Sequence, residues 1–166
     1  MNQYHTQFNT TNSENLIPHD DKTLLINKIQ EQHQLILHKL LPEIDMHFAA
    51  VLENDDTQHQ DLIREAHQAF NEFSELLTDH IYLEDEFVLP ELSNNDPIIL
   101  KAILDFIEKH DDFERILQDL LTQINDSLHP LKPLLSFRIL LLKMERLQVL
   151  LEEHNIIEEK LFESGN

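Results

Sequence analysis

The chain has 166 residues and a single glycine, Gly165, next to its C-terminal residue. Glycine is the residue that most readily takes the left-handed backbone conformations of tight β turns and strand-linking loops. A chain with none before position 165 is poorly equipped for a β architecture, and long helices are the structures it can build. Leu and Glu, both strong helix formers, are its commonest residues, which favours the same answer. An apolar fraction of 41% is enough to fill a core and sets the chain apart from disordered sequences.

The breaks fall at NDDT (54–57), SNNDP (93–97) and HPLKP (129–133). Asp20 or Asp21 is placed to cap a first helix from about Lys22 to Glu53. Asp55 or Asp56 caps a second, from about Thr57 to Leu89, which Pro90 ends. Asp96, with Pro97 at the first helical position, opens a third that runs to about Ser127. Pro133 opens a fourth, reaching about Glu163. Four helices of about 30 residues with short connections predict an all-α, up-down-up-down antiparallel four-helix bundle. Residues 1–20 read as a flexible N-terminal arm and residues 21–166 as the bundle, with no second domain.

The formal net charge is −20, from 32 acidic and 12 basic residues. A surface that acidic repels nucleic acid and anionic membranes, so neither is expected as a partner. The chain has no cysteine. Disulfides, thiolate ligands, iron–sulfur ligation and thiol nucleophiles are excluded. The N-terminal MNQYHTQFNTTNSENLIP lacks a signal pattern, and the apolar stretch LLSFRILLL (134–142) carries Arg138 and is too short to span a bilayer. A soluble, cytoplasmic protein is expected.

Each predicted helix carries an apolar stripe at i, i+3, i+4, i+7 spacing, and each stripe is interrupted by a histidine. The first reads Ile26, Ile29, His33, Ile36, Leu40, Ile44, and the second Leu62, Ala66, Phe73, Leu77, His80, Glu84, Phe87. The third reads Ile103, Phe106, His110, Glu114, Leu117, Leu121, and the fourth Leu140, Leu147, Leu151, His154, Glu158, Leu161. In three helices a glutamate follows the histidine one turn later. Outer leucines such as Leu76 and Leu150 read as the flank of a broad core stripe. His5, His19, His38, His59, His67 and His129 fall in the tail, at helix termini or on polar faces.

Counting residues from the breaks brings the four stripe histidines to one level. His33 lies about 20 residues before the first break and His80 about 23 after it; the second break gives about 10 and 13, the third about 17 and 20. In antiparallel helices these counts agree within about one turn. Glu84 and Glu158 lie on parallel helices, displaced toward the same end.

One core histidine held by hydrogen bonds is an ordinary structural feature. Four of them with two or three glutamates in one layer are not. Buried carboxylates are costly and raise one another's pKa, whereas a multivalent cation supplies the missing charge and takes imidazole nitrogens as ligands. Nitrogen and oxygen donors without sulfur suit iron, manganese or zinc. The set is too large for one tetrahedral zinc. It suffices for two six-coordinate ions about 3.5–4 Å apart, bridged by carboxylates, with roughly one position on each left for a small ligand. Ferritin-like bundles hold two irons with Glu-x-x-His on two helices, and no Glu-x-x-His occurs in this chain. The order here is His-x-x-x-Glu.

The stretches QHQLILHKLLPEI, HIYLEDEFVLPEL, KHDDFERIL and EEHNIIEEKLF carry a resemblance to the hemerythrin-like (HHE cation-binding) family over about residues 22–163. The two His-x-x-x-Glu stretches, each with a lone histidine upstream, at separations of 47, 30 and 44 residues, are its specific part. The sequence is most similar to the bacterial di-iron proteins of iron–sulfur cluster repair, without their cysteine-containing N-terminal domain. The resemblance implies His33, His80, Glu84, His110, His154 and Glu158 as ligands of two iron ions in an oxo-bridged di-iron centre. Oxygen-carrying members use a second histidine where this chain has Glu114, which departs from that pattern. Glu114 is then a third carboxylate ligand, a residue that orients a ligand, or a surface residue.

The function implied is a di-iron protein that binds or reduces O2, peroxide or NO, in stress response or repair of a partner protein's damaged iron–sulfur cluster. The alternative is a sensing or metal-binding module without turnover. The residues leave open whether the chain is an enzyme, and leave the oligomeric state open as well. A nucleophilic hydrolase finds no support: there is no thiol, phosphate loop or recognisable Ser-His-Asp group.

Overall fold

The computed structural model describes residues 19–54, 59–92, 111–131 and 134–163. Helix α1, residues 19–54, runs as His19–Leu35, passes through a π turn at Ile36–Leu40 and continues as Leu41–Asn54. Helix α2, residues 60–92, repeats the design: Gln60–Leu83, a π turn at Glu84–Val88, then Leu89–Leu92. Helix α3 is described over Asp111–Ser127, a short 3-10 turn comes next at His129–Leu131, and α4 is Leu135–Glu163. Among the described residues there is no strand, and no helix is long and apolar enough to cross a membrane. Residues 1–18 of the expected arm (1–20), the Asp55 or Asp56 cap, the Asp96–Pro97 helix start, His110 and Pro133 lie outside the described residues, and α1 begins at His19, so Asp20 and Asp21 lie inside the helix rather than capping it.

Contacts between helices give their directions. Between α1 and α2, His33 reaches Glu84 while Asp45 reaches His67, so rising numbers on one helix meet falling numbers on the other. Between α1 and α4, His33 meets His154 and Glu43 meets Lys143. Between α3 and α4, Glu114 meets Asn155 and Gln118 meets Gln148. Helix α1 therefore runs antiparallel to α2 and α4, and α3 antiparallel to α4. This is the up-down-up-down four-helix bundle that the stripes predict.

Two buried apolar clusters fill the interior. The larger draws on all four helices and includes Ile44, Phe48, Phe70, Phe73, Leu121, Phe137 and Leu147. The smaller holds Ile29, Val88, Leu89, Leu92, Ile157 and Leu161. The buried polar side chains His33, Glu84 and His154 lie between these two sets in sequence on α1, α2 and α4, and the buried Glu158 follows one turn after His154, among the residues of the smaller set.

Pro90 does not end α2, because of the π turn that precedes it. Both π turns stand immediately before a Leu-Pro-Glu triplet, Leu41-Pro42-Glu43 and Leu89-Pro90-Glu91. A proline lacks the N–H of a helical residue, and its ring presses on the carbonyl four residues back. In these turns Leu41 donates to the Ile36 carbonyl and Leu89 to the Glu84 carbonyl, five residues back. The extra residue widens the turn ahead of the ring, and the helix passes through the proline.

The same widening rotates the residues at the end of α2. Val88 and Leu89 turn inward, and Phe87, expected in the core stripe, is 60% exposed. Leu62, also expected there, is 42% exposed, because the stripe through Ala66 and Phe70 continues back to the buried Ile63. Leu150 packs half-buried against the larger cluster, whereas Leu76 is exposed. Helix α2 starts at Gln60 rather than near Thr57, with the His59 carbonyl accepting from the Ile63 N–H at 2.9 Å.

Candidate metal centre

The second π turn begins at Glu84, so the local change that accommodates Pro90 also sets the direction of this carboxylate. Glu84 is fully buried, and three histidines surround it. Its Oε1 lies 3.3 Å from His80 Nε2, one helical turn back on the same face. Its Oε2 lies 3.1 Å from His33 Nε2 on α1 and 3.6 Å from His154 Nε2 on α4. Glu158, one turn after His154, brings Oε1 to 3.4 Å from the same His154 Nε2. The rings of His33 and His154 stand 5.0 Å apart.

The structure thus brings together five of the six expected ligands: His33, His80, Glu84, His154 and Glu158. The sixth, His110, lies outside the described residues. Glu114 is half-buried, and its Oε1 accepts a 2.6 Å hydrogen bond from Asn155 Nδ2.

One residue in contact with this layer is not visible in the sequence pattern. Asp85 Oδ1 lies 2.9 Å from His33 Nδ1. An ionised carboxylate only accepts, so Nδ1–H donates to it, and in the neutral ring Nε2 then carries the lone pair. That atom faces Glu84. A carboxylate behind a histidine is the arrangement that fixes tautomer and ring orientation in metal ligands. Nothing distinguishes Asp85 within the acidic run Glu84-Asp85-Glu86 until the π turn is in place.

Electrostatics explain why the layer calls for a cation. Burial disfavours a charged His154 ring, but hydrogen bonds to Glu158 and Glu84 outweigh it and push its pKa up to about 10. Burial raises the pKa of Glu158, and the neighbouring Glu84 adds to this against the pull of His154. Without a metal, a proton held on His154 offsets part of the buried negative charge.

The donor set fits a metal. His33, Glu84 and His154 each offer one ligand atom, and these three atoms lie within 4.8 Å of one another. His33 Nε2 is buried and makes no hydrogen bond among the described residues, although Glu84 Oε2 is only 3.1 Å away. Ligand atoms at about 2.1 Å from one ion are separated by about 3.0 Å in an octahedron and about 3.4 Å in a tetrahedron, close to the spacings here. The donors are nitrogen and oxygen only, as suits iron, manganese or zinc.

A cavity of about 10 Å³, room for one water-sized molecule, adjoins the cluster. His33, His80 and His154 line it together with apolar Ile36, Leu77, Ile81, Phe113 and Leu151 and polar Glu114 and Asn155. The Phe113 ring packs 5.1 Å from that of His80 and edge-on to Phe73.

The family model of the hemerythrin HHE cation-binding domain matches residues 24–164, and the chain belongs to this family. Searches of curated proteins and of solved structures found no match. A metal-binding four-helix bundle is therefore both the fold observed and the class to which the chain belongs.

Proposed function

We propose that the chain binds two iron ions in this layer, with His33, His80, Glu84, His110, His154 and Glu158 as ligands, and that it binds or reduces a small ligand such as O2, NO or peroxide. The observation that carries this reading is the division of Glu84: one oxygen faces His80, the other His33 and His154. A carboxylate that presents its two oxygens to different histidines is disposed to bridge two ions. His110 joins the set as the ligand that the sequence resemblance implies; it lies outside the described residues. Manganese or zinc suits the same donors.

Iron held there supplies redox chemistry and open coordination positions for the ligand. The protein does the rest. Asp85 holds His33 in the tautomer that presents Nε2. Ile36, Leu77, Ile81 and Leu151 give the cavity an apolar wall that keeps bulk water away from one side of it. His154 and Glu158 pass a proton to solvent as metal binds, because ligation needs the neutral ring. A stress-response or iron–sulfur cluster repair role in the cytoplasm belongs to the same reading.

The test is metal content and the ultraviolet–visible spectrum of protein purified after growth in iron-rich medium. The expected result is about two irons per chain, with bands that change on adding azide or NO. Colourless protein that holds zinc, or no metal with the bundle still folded, overturns the reading.

A further inference from the structure

We propose that the outer face of α4 pairs with the same face of a second copy of this chain, the two helices running antiparallel about a two-fold axis at Val149. The pairing does not depend on what the metal centre binds.

Leu135, Leu142, Val149 and Ile156 recur every seven residues along α4 and are 67, 62, 53 and 50% exposed. Apolar side chains at a seven-residue period form one seam along a helix, and such a seam is the surface by which helices pair. The half-buried Ile139 widens it between Leu135 and Leu142. The side of α4 that serves the bundle is the opposite one, where Leu147, Leu151, His154 and Glu158 are buried. The seam is therefore not the flank of the core stripe. It is a second apolar surface left in water, the kind of patch that marks an association site.

Charges beside the seam decide its occupant. Arg146 and Glu153, both exposed, stand on one edge, three residues before Val149 and four after it. The exposed Arg138, Glu145, Glu152 and Glu159 stand along the other edge. In an antiparallel pair centred on Val149, Leu142 comes level with Ile156 of the second copy, and Arg146 faces Glu153 of the second copy, twice by symmetry. Arg138 faces Glu159 in the same way, and Glu145 opposite Glu152 is the like-charge contact. A parallel pair would instead set Arg146 beside Arg146 and Glu153 beside Glu153. Helix α2 has a comparable seam in Leu62, Leu76 and Leu83, 42, 57 and 44% exposed. Its edge carries Glu65, Glu72, Asp79 and Glu86, all exposed, so two copies of that face bring acid against acid. Of the two seams, the α4 seam is the one whose charges complement themselves.

The mass of the full-length protein in solution, measured by light scattering from about 1 to 200 μM, reads the pairing. It should rise with concentration from 19.7 kDa toward twice that value. Val149→Glu changes an exposed side chain at the axis, so the variant should keep its circular dichroism and stay at 19.7 kDa throughout. Leu76→Glu on α2 should associate as wild type does. The chain has no cysteine, so one introduced thiol reports the direction of the helices. With oxidised glutathione, Val149→Cys should form a disulfide between copies, whereas Leu135→Cys, about 21 Å along the helix from the axis, should not. Wild-type protein that stays at 19.7 kDa up to about 200 μM overturns the proposal. So does association that survives Val149→Glu, and so does association lost in Leu76→Glu, which would move the interface to α2. Disulfide formation through both introduced thiols would mark a parallel pair and overturn the two-fold at Val149.

Discussion

The two apolar clusters of the bundle are unequal, and the inequality divides the labour of the fold. The larger is built on all four helices and contains Phe48, Phe70, Phe73 and Phe137, each nearly or fully buried. Its packing is apolar throughout and requires nothing from outside the chain. Among the described residues, the smaller cluster holds six buried side chains from α1, α2 and α4, beyond the histidine layer. To reach it each of these helices passes a buried His or Glu, and α2 passes through a π turn as well. One end stabilises the bundle by hydrophobic burial. The other is positioned by a polar layer whose own stability depends on what it binds.

The largest expected effect is in the first region. Phe70→Ala should lower the unfolding free energy by about 3–5 kcal/mol in chemical denaturation, with or without metal. A loss below about 1 kcal/mol would mean that the larger cluster is not where the stability lies. Metal removal should act on the other region. Chelation should lower the melting temperature and raise amide hydrogen exchange around residues 25–33, 84–92 and 154–161, while 44–51 and 137–147 stay protected. Uniform deprotection would erase the distinction.

The pH dependence separates the two regions again. His154 has a folded pKa of about 10, above its usual 6.5, so its contribution is fully present below about pH 6.5 and is lost as the pH rises toward 10. Glu158, also raised in the fold, contributes in the same direction, losing its share as pH climbs through its folded value. Metal-free protein should therefore become less stable from neutral to alkaline pH. Metal affinity should increase over that range, because binding releases the protons. Denaturation curves of metal-free protein across the range check the first, and competition titrations the second.

Two smaller effects probe single residues. Asp85→Asn removes the carboxylate behind His33 and should weaken metal binding about ten- to a hundredfold, with metal-free stability little changed. Gln32 is buried next to His33, and among the described residues neither of its amide atoms has a hydrogen-bond partner. Gln32→Leu should stabilise metal-free protein by about 1 kcal/mol. A loss of metal in that variant would instead give the amide a part in the loaded site.

Most of the fold was legible because helical periodicity is a repeated signal. His33, His80, His154, Glu84 and Glu158 stood out as polar residues on apolar stripes, and counting from the breaks brought them to one level. Three details were not legible, and they share one cause. Pro90 inside α2, Phe87 on the surface and Asp85 on His33 all result from the π turn at Glu84–Val88. A stripe counted at 3.6 residues per turn carries no sign of an inserted residue. The Leu-Pro-Glu after each π turn is a local signal for it, visible once the backbone bonds are known.

The proposed site stands or falls on a single buried carboxylate, Glu84, being shared between two metal ions. X-ray absorption at the iron edge of the loaded protein reads that sharing. A bridged pair gives a first shell of nitrogen and oxygen at about 2.0–2.2 Å with no sulfur, and a second iron at no more than about 4 Å. Glu84→Ala should abolish both features. A first shell of light atoms with no metal–metal scattering would refute the bridge and leave a single-ion site in which Glu84 serves one metal alone.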